Sequence, residues 1–224
     1  MSSGVNSSCI KTALLIGAGV ATTTGIGYML YRYLGSKQGA DTDEGFVDET
    51  KTESQNERKV LVLGLDNSGK STLLANISKN DPTSVTQPTQ GFKVICYQTG
   101  KIKLSFWEIG GAKSMRQYWN NFVQDTSVFV FVVDSSDASR FSEAFSALHE
   151  ISGDDRLKKV PIVLVANKQD VSGAKTAQEV MHALGLDNLS RLEHPVHVLP
   201  TSVATKGSPS GIDELEKLLK RLCS

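Results

Sequence analysis

Residues 64–72 read GLDNSGKST, which matches the template G-x-x-x-x-G-K-[ST] at every fixed position. Glycines let such a loop curl until several backbone N–H groups point at one anion, and the following helix adds its positive N-terminal end. Lys70 is expected to reach the β- and γ-phosphates of a nucleotide, and the Ser71 hydroxyl to ligate Mg²⁺. The sequence therefore predicts a triphosphate site, whose expected contacts are Asp66, Asn67, Ser68, Gly69, Lys70, Ser71 and Thr72.

A second polar segment, NKQD at residues 167–170, follows the apolar run PIVLVA. A carboxylate such as Asp170 accepts two hydrogen bonds from guanine N1–H and N2–H₂, whereas adenine leaves that charge unpaired. Asn167 is expected to tie this segment to the phosphate loop, and the Lys168 stem to cover the base. The two segments together predict GTP and GDP as ligands, which disfavours an ATPase or an ATP-dependent kinase.

With these motifs, the chain resembles the ADP-ribosylation factor (Arf) and Arf-like family of small GTPases over residues 58–223. Four further motifs stand in the family's order, namely PTQGF (88–92), WEIGG (107–111), VVDS (132–135) and TSV (201–203). The EIGG variant and an apolar N-terminal segment are most similar to the divergent Arf-like nine and ten subgroup. The resemblance implies a P-loop small-GTPase domain.

The resemblance also implies roles for individual residues. Thr89 would ligate Mg²⁺ together with Ser71, and the Gly111 amide would contact the γ-phosphate. Ser202 and Val203 would act through their backbone amides near guanine O6.

Two positions depart from the family's usual Trp-Asp-x-Gly-Gly-Gln pattern, because Glu108 replaces the aspartate and Ala112 replaces the glutamine. The glutamine orients the attacking water, which a methyl group cannot do. Glu108 is longer by one methylene, so we expect it to reach a Mg²⁺-bound water with altered geometry. The sequence thus predicts tight GTP binding with very slow intrinsic hydrolysis. Two alternatives stay open: rescue by another residue or a partner's arginine, and a catalytically inactive, GTP-bound scaffold.

Partner recognition follows from the same resemblance. Family members present aromatic residues to effector proteins, and Phe92, Trp107 and Phe122 stand at matching positions. Exchange and activating factors are implied in the same way. From the sequence alone, the three residues could equally be core residues of a hairpin and a helix. The net charge is zero, and no basic patch with interleaved aromatics predicts nucleic-acid binding.

Residues 12–31 contain twenty residues without a formal charge, bracketed by Lys11 and Arg32. As a helix they would be about 30 Å long, the thickness of a bilayer's hydrocarbon core. A cleaved signal would carry the domain to a compartment without its nucleotide, and an amphipathic surface helix needs a charged face. We therefore predict a single-pass transmembrane anchor with the GTP-binding domain in the cytoplasm. Both the endoplasmic reticulum and the mitochondrial outer membrane stay open.

The chain divides into an N-terminal membrane anchor (1–35), an acidic disordered linker (36–57) and a GTP-binding domain (58–224). The linker contains seven acidic residues against two lysines, which is typical of a solvated spacer; an acidic docking site is the alternative. In the domain, strand and helix patterns alternate, which predicts a three-layer α/β sandwich with a mostly parallel sheet. The predicted strands are 59–64, 93–98, 101–107, 127–134 and 161–166, and the predicted helices are 71–78, 141–151, 177–184 and 212–222.

Overall fold

The computed structural model describes residues 57–78, 89–187, 194–203 and 209–224. The predicted transmembrane segment, residues 12–31, lies outside these ranges, as does the predicted linker apart from Glu57. Glu57, predicted as the last linker residue, is instead the first residue of a strand. In the ranges that the structure describes, no helix has the length and apolar character needed to cross a bilayer.

Six strands form one sheet within the described residues. They are β1 (Glu57–Leu63), β2 (Phe92–Thr99), β3 (Ile102–Ile109), β4 (Thr126–Asp134), β5 (Ile162–Asn167) and β6 (Val196–Pro200). The α-helices are α1 (Lys70–Ile77), α2 (Lys113–Arg116), α3 (Phe141–Ser152), α4 (Ala177–Ala183) and α5 (Ile212–Leu222). Short 3₁₀ turns occur at Trp119–Phe122, Ala138–Arg140 and Asp155–Leu157.

The strand order is β2-β3-β1-β4-β5-β6. Only the β2–β3 pair of this sheet is antiparallel, joined by a turn in which Gly100 has φ 60°. The other pairs are parallel, so the prediction of a mostly parallel sheet is confirmed. After β1 the chain passes to β2 and β3 on one side of the sheet, and after β4 it passes to β5 and β6 on the other side. This topological switch point opens a crevice at the carboxyl ends of β1 and β4, where open α/β sheets bind ligands.

The central strands are covered on both faces. Val60 and Val62 of β1 belong to a buried cluster with apolar residues of α1 and α5. Leu61 and Leu63 are equally buried and alternate to the opposite face. Helices α3 and α4 contact each other and contribute no residue to the first cluster. The sheet therefore lies between two helical layers.

Most elements lie within two residues of their predicted bounds, but the short helix α2 and the strand β6 were not predicted. The sequence of β6, VHVLP, has side chains that are half-buried and ends in a proline, so neither a continuous apolar run nor a clear alternation marks it as a strand. Pairing with β5 at the sheet edge specifies this strand.

Candidate nucleotide-binding site

The phosphate loop connects β1 directly to α1. Asn67 and Gly69 adopt positive φ angles of 61° and 89°, and Gly69 is the N-cap of α1 without a side-chain cap. A Cβ atom on Gly69 would lie 2.4 Å from the Asn167 side-chain nitrogen, so only glycine fits this close approach. The uncapped start of α1 thus presents its first backbone N–H groups to an anion.

Lys70 is the first residue of α1 and is buried. Its Nζ donates to the carbonyl oxygens of Gly64 and Leu65, at 3.0 and 2.8 Å. Burial lowers the pKa of Lys70 to about 8, against a smaller opposing effect of Glu108 and Asp66. A phosphate in the loop would favour the charged ammonium, since an opposite charge nearby raises the pKa of a lysine.

The two predicted Mg²⁺ ligands come together although they lie on different elements. Ser71 is in α1, and Thr89 precedes β2. Ser71 Oγ is 3.0 Å from Thr89 Oγ1. Thr89 Oγ1 donates to Glu108 Oε1 on β3 at 2.9 Å, and Ser71 Oγ donates to the same oxygen. Glu108 is 1% exposed, and its Oε2 has no hydrogen-bond partner within the part of the chain that the structure describes. Two hydroxyls and a buried carboxylate are the hard oxygen donors that Mg²⁺ prefers, so the residues present fit this ion.

The glycines after β3 pack directly on neighbouring loops. Gly110 N donates to Gly91 O at 2.8 Å. A Cβ atom on Gly111 would lie 2.3 Å from Gly64 O, so Gly111 contacts the phosphate loop through its backbone. Ala112 follows as the N-cap of α2 and makes no side-chain cap hydrogen bond. Its methyl group therefore stands beside the loop where the family pattern has a glutamine amide.

Residues 167–170 meet the phosphate loop as predicted. Asn167 Nδ2 donates to Ser68 O at 2.9 Å, and Thr201 Oγ1 donates to Asn167 Oδ1 at 3.0 Å. Lys168 adopts φ 65°, and its Nζ lies 2.7 Å from Asp134 Oδ2. One buried amide therefore connects three loops that are distant in sequence.

Ser202 contributes both its backbone and its hydroxyl. Ser202 N donates to Ser210 O at 3.0 Å in an isolated β-bridge, and its contact with guanine O6 stays a prediction. The Ser202 hydroxyl donates to Asp170 Oδ1 at 2.7 Å. Ser202 therefore orients the predicted guanine-binding carboxylate. Val203 is half-buried, beside this bridge.

Asp66 lies in the phosphate loop, and its carboxylate binds two arginines. Its Oδ1 accepts from Arg140 Nη2 at 2.7 Å and from Arg116 Nη2 at 3.4 Å. The same two guanidinium groups bind Glu143 at 2.8 and 2.9 Å. The hydrogen bond and charge of Arg140 hold the pKa of Asp66 below its ordinary value. Both arginines escaped the sequence analysis, because Arg140 lies 74 residues from Asp66 and no local motif marks either one.

The three predicted effector-binding aromatics form one cluster. The Phe92 and Trp107 rings stack with centroids 5.9 Å apart, and Phe122 is 5.3 and 6.4 Å from them. Phe122 is buried, whereas Phe92 and Trp107 keep part of their surface exposed. Lys59 Nζ lies 4.6 Å from the Trp107 ring centre. The cluster therefore packs into the core through Phe122 and reaches the protein surface through Phe92 and Trp107.

The remaining predicted contact residues differ in their exposure. Asn67 is exposed at the tip of the loop, Ser68 is buried beneath it, and Asp170 is exposed. Thr72 is half-buried in α1, where its carbonyl oxygen accepts from Asn76 Nδ2 at 2.9 Å.

Comparison with known proteins agrees with this geometry. Residues 46–222 match the ADP-ribosylation factor family. The chain is 40% identical to ADP-ribosylation factor-like protein 10 of Mus musculus over 180 residues, 79% of this chain and 73% of that protein. It is 36% identical to ADP-ribosylation factor-like protein 3 of Chlamydomonas reinhardtii over 166 residues, 74% of this chain and 93% of that protein.

A similar structure is that of the Arl6 BBS3 small GTPase from Trypanosoma brucei with the bound nucleotide analogue GppNp. It superimposes with a TM-score of 0.66 at 28% identity, covering 75% of this chain and 97% of that one. The predicted resemblance is confirmed, and an Arf-like ten protein is among the relatives. The chain belongs to the ADP-ribosylation factor family and is an Arf-like small GTPase.

Proposed function

We propose that this chain is a membrane-anchored, GTP-binding switch whose intrinsic GTP hydrolysis is very slow. The observation that carries the nucleotide assignment is the Asn167 side chain, which bonds to the Ser68 carbonyl in the phosphate loop. This contact brings the loop that would bind phosphates beside the loop that would bind guanine. The two loops fit the two ends of GTP or GDP, the phosphates and the guanine base.

Each end of the nucleotide has its own set of groups. Loop amides and the Lys70 ammonium would bind the β- and γ-phosphates, and the Gly111 amide lies against the same loop. Ser71 and Thr89 would hold Mg²⁺, which when bound neutralises charge that develops on the phosphate oxygens. At the other end, Asp170 would accept the guanine N1–H and N2–H₂ protons, one on each oxygen. The Ser202 hydroxyl also donates to Asp170 Oδ1 and holds the carboxylate in place.

The test of guanine recognition is Asp170→Asn, because an amide nitrogen would face the guanine donors. We expect GTP affinity to fall by at least about 100-fold, since unpaired polar groups in such a site are costly. Xanthosine triphosphate, which has an oxygen at position 2 of the base, should bind this variant better than GTP. Calorimetry on the full chain measures both affinities.

Asp155→Asn changes a solvent-exposed aspartate outside the crevice and serves as the matched control. It should leave the GTP affinity unchanged. An Asp170→Asn variant with full preference for GTP, or a wild-type chain that binds ATP equally well, contradicts the proposed guanine site.

Slow hydrolysis is proposed because Ala112 offers no hydrogen-bonding side chain to a water at the γ-phosphate. The two guanidinium groups of the phosphate-loop network, those of Arg116 and Arg140, are bound to Asp66 and Glu143. In this arrangement they are occupied with carboxylates, so neither substitutes for the missing amide.

The alternative function is a catalytically inactive, GTP-bound scaffold that docks partners without cycling. We infer that effectors bind the surface formed by Phe92 and Trp107, which connects through Gly91 and Gly110 to the phosphate site. Proteins retained on the immobilised full chain in the GTP-analogue state but lost in the GDP state would support the switch. Equal retention in both states, abolished by Trp107→Ala, would support the scaffold.

A further inference from the structure

The carboxylate of Glu108 has an arrangement that its predicted role does not explain. Its Oε1 accepts from both hydroxyls expected to ligate Mg²⁺, while Oε2 is closed to solvent and has no described partner. The Lys70 ammonium, whose pKa the charge of Glu108 affects, donates to the carbonyls of Gly64 and Leu65 instead. A buried carboxylate in this condition needs a cation, because an unpaired buried charge is strongly unfavourable.

The oxygen spacing identifies where that cation would lie. Mg²⁺ binds oxygens at about 2.1 Å in an octahedron, so two adjacent ligands lie about 3.0 Å apart. The Ser71 Oγ–Thr89 Oγ1 distance is 3.0 Å, and the Thr89 Oγ1–Glu108 Oε1 distance is 2.9 Å. Two of the three edges between these oxygens therefore match the edge of an octahedral face, and the third pair, Ser71 Oγ and Glu108 Oε1, is joined by a direct hydrogen bond. The carboxylate contacts both hydroxyls directly, which leaves no space for a water molecule between them.

We propose that Glu108 is a direct ligand of the divalent cation, completing an oxygen face with Ser71 and Thr89. This replaces the sequence-based expectation that Glu108 acts through a metal-bound water. The inference rests on the proposed nucleotide function, since the phosphates would supply the ligands on the opposite side. An anionic carboxylate in place of a neutral water strengthens cation binding and ties β3 to the beginning of β2.

The test counts water molecules on the metal. The full chain is loaded with Mn²⁺ and a non-hydrolysable GTP analogue, and the broadening of the Mn²⁺ paramagnetic resonance lines is measured in ¹⁷O-enriched water. Glu108→Asp withdraws the carboxylate by one methylene, so we expect one additional coordinated water compared with the wild type. Glu150→Asp, at an exposed position in α3, is the matched control and should give the wild-type number.

A second variant guards against loss of folding. Glu108→Gln keeps the size of the side chain but removes its charge, so the packing of β3 is preserved. The measurement is the free Mg²⁺ concentration at which release of a bound fluorescent GTP analogue is slowed by half. We expect this concentration to rise by at least about tenfold in Glu108→Gln, which is the size of the loss in metal affinity when residues of a metal site are altered.

The outcomes separate two possible failures. Equal water counts in the wild type and Glu108→Asp, with the metal bound in both, would show a water-mediated carboxylate and overturn this inference alone. A wild-type chain that retains neither Mn²⁺ nor the analogue would overturn the proposed nucleotide function as well.

Discussion

Two side chains, Glu108 and Ala112, depart from the usual family pattern on either side of the two glycines that follow β3. Ala112 lacks a group that could hydrogen-bond to a water. Glu108 is longer than the aspartate it replaces, and the structure places its carboxylate against Ser71 and Thr89. One change removes an expected catalytic group, and the other would reshape the proposed metal site. The effects of the two changes on hydrolysis can be measured separately.

The substitution Ala112→Gln should speed GTP hydrolysis. Restoring an amide that orients water should raise the single-turnover rate of GTP hydrolysis by at least about tenfold, because removing one such donor from an active site costs 10² or more. Rapid-quench measurement of phosphate release from the preloaded full chain gives the rate. Ala138→Gln, at an exposed position in a 3₁₀ turn, is the control. Ordinary small-GTPase rates in the wild type would contradict the proposal of slow hydrolysis.

At the scale of elements, four charged side chains join three segments around the phosphate loop. Asp66 lies in the loop, Arg116 in α2, and Arg140 and Glu143 at the start of α3. Arg116 Nε also donates to Gly111 O at 2.8 Å, which fixes the peptide beside the phosphate loop. Since side chains of this network are 15–44% exposed, each pair contributes at most about 1 kcal/mol to stability. Its more important effect is on the geometry of the site.

Replacing Arg140 by glutamine should therefore change both stability and nucleotide release. Arg140 lowers the pKa of Asp66 and of Glu143, so its stabilising effect is present above their unfolded pKa values and is lost as pH falls through the folded ones. Thermal unfolding should show a larger loss for Arg140→Gln at pH 7 than at pH 3. Release of GDP should also become several-fold faster, because Asp66 then repels the phosphates.

Arg156→Gln is the matched control for this experiment. Arg156 lowers the pKa of Asp154 through the same kind of contact, at a site away from the phosphate loop. It should show a similar pH dependence of stability with unchanged GDP release. Faster release in both variants would argue against a specific role of the Asp66 network.

At the scale of the whole molecule, the proposed function needs a membrane attachment and a domain that changes its partners. The described ranges supply the domain, and residues 12–31 supply the proposed attachment. A span of twenty uncharged residues between Lys11 and Arg32 is the basis for that proposal. Nucleotide exchange and membrane residence would then be independent properties of one chain.

The anchor is tested by alkaline carbonate extraction of membranes from cells that express the full chain. We expect the wild type to stay in the membrane pellet and the double variant Val20→Asp, Ile26→Asp to be released, because each aspartate costs about 2.5–3.5 kcal/mol at the centre of a membrane helix. Val47→Asp in the linker is the control and should stay in the pellet. Release of the wild type by carbonate would exclude a transmembrane anchor.

Much of the fold follows from local patterns. The strands β1, β4 and β5 were predictable because their side chains form continuous apolar runs, as parallel strands covered on both faces require. Helix α5 was predictable because apolar residues recur at helical spacing along it. The edge strand β6 lacks such a pattern, since it depends on pairing with β5. Strand β6 therefore forms because β5 is available for pairing, and its own sequence pattern does not specify it.

Spacing along the chain is enough to predict the chemistry of the two loops, the absence of glutamine at position 112 and the uncharged span at residues 12–31. The folded domain shows which groups meet: Glu108 with Ser71 and Thr89, the Ser202 hydroxyl with Asp170, and Arg140 with Asp66. These contacts form because a parallel sheet gathers the ends of distant strands at one edge. A hydrogen bond between residues many positions apart leaves no periodic trace in the chain.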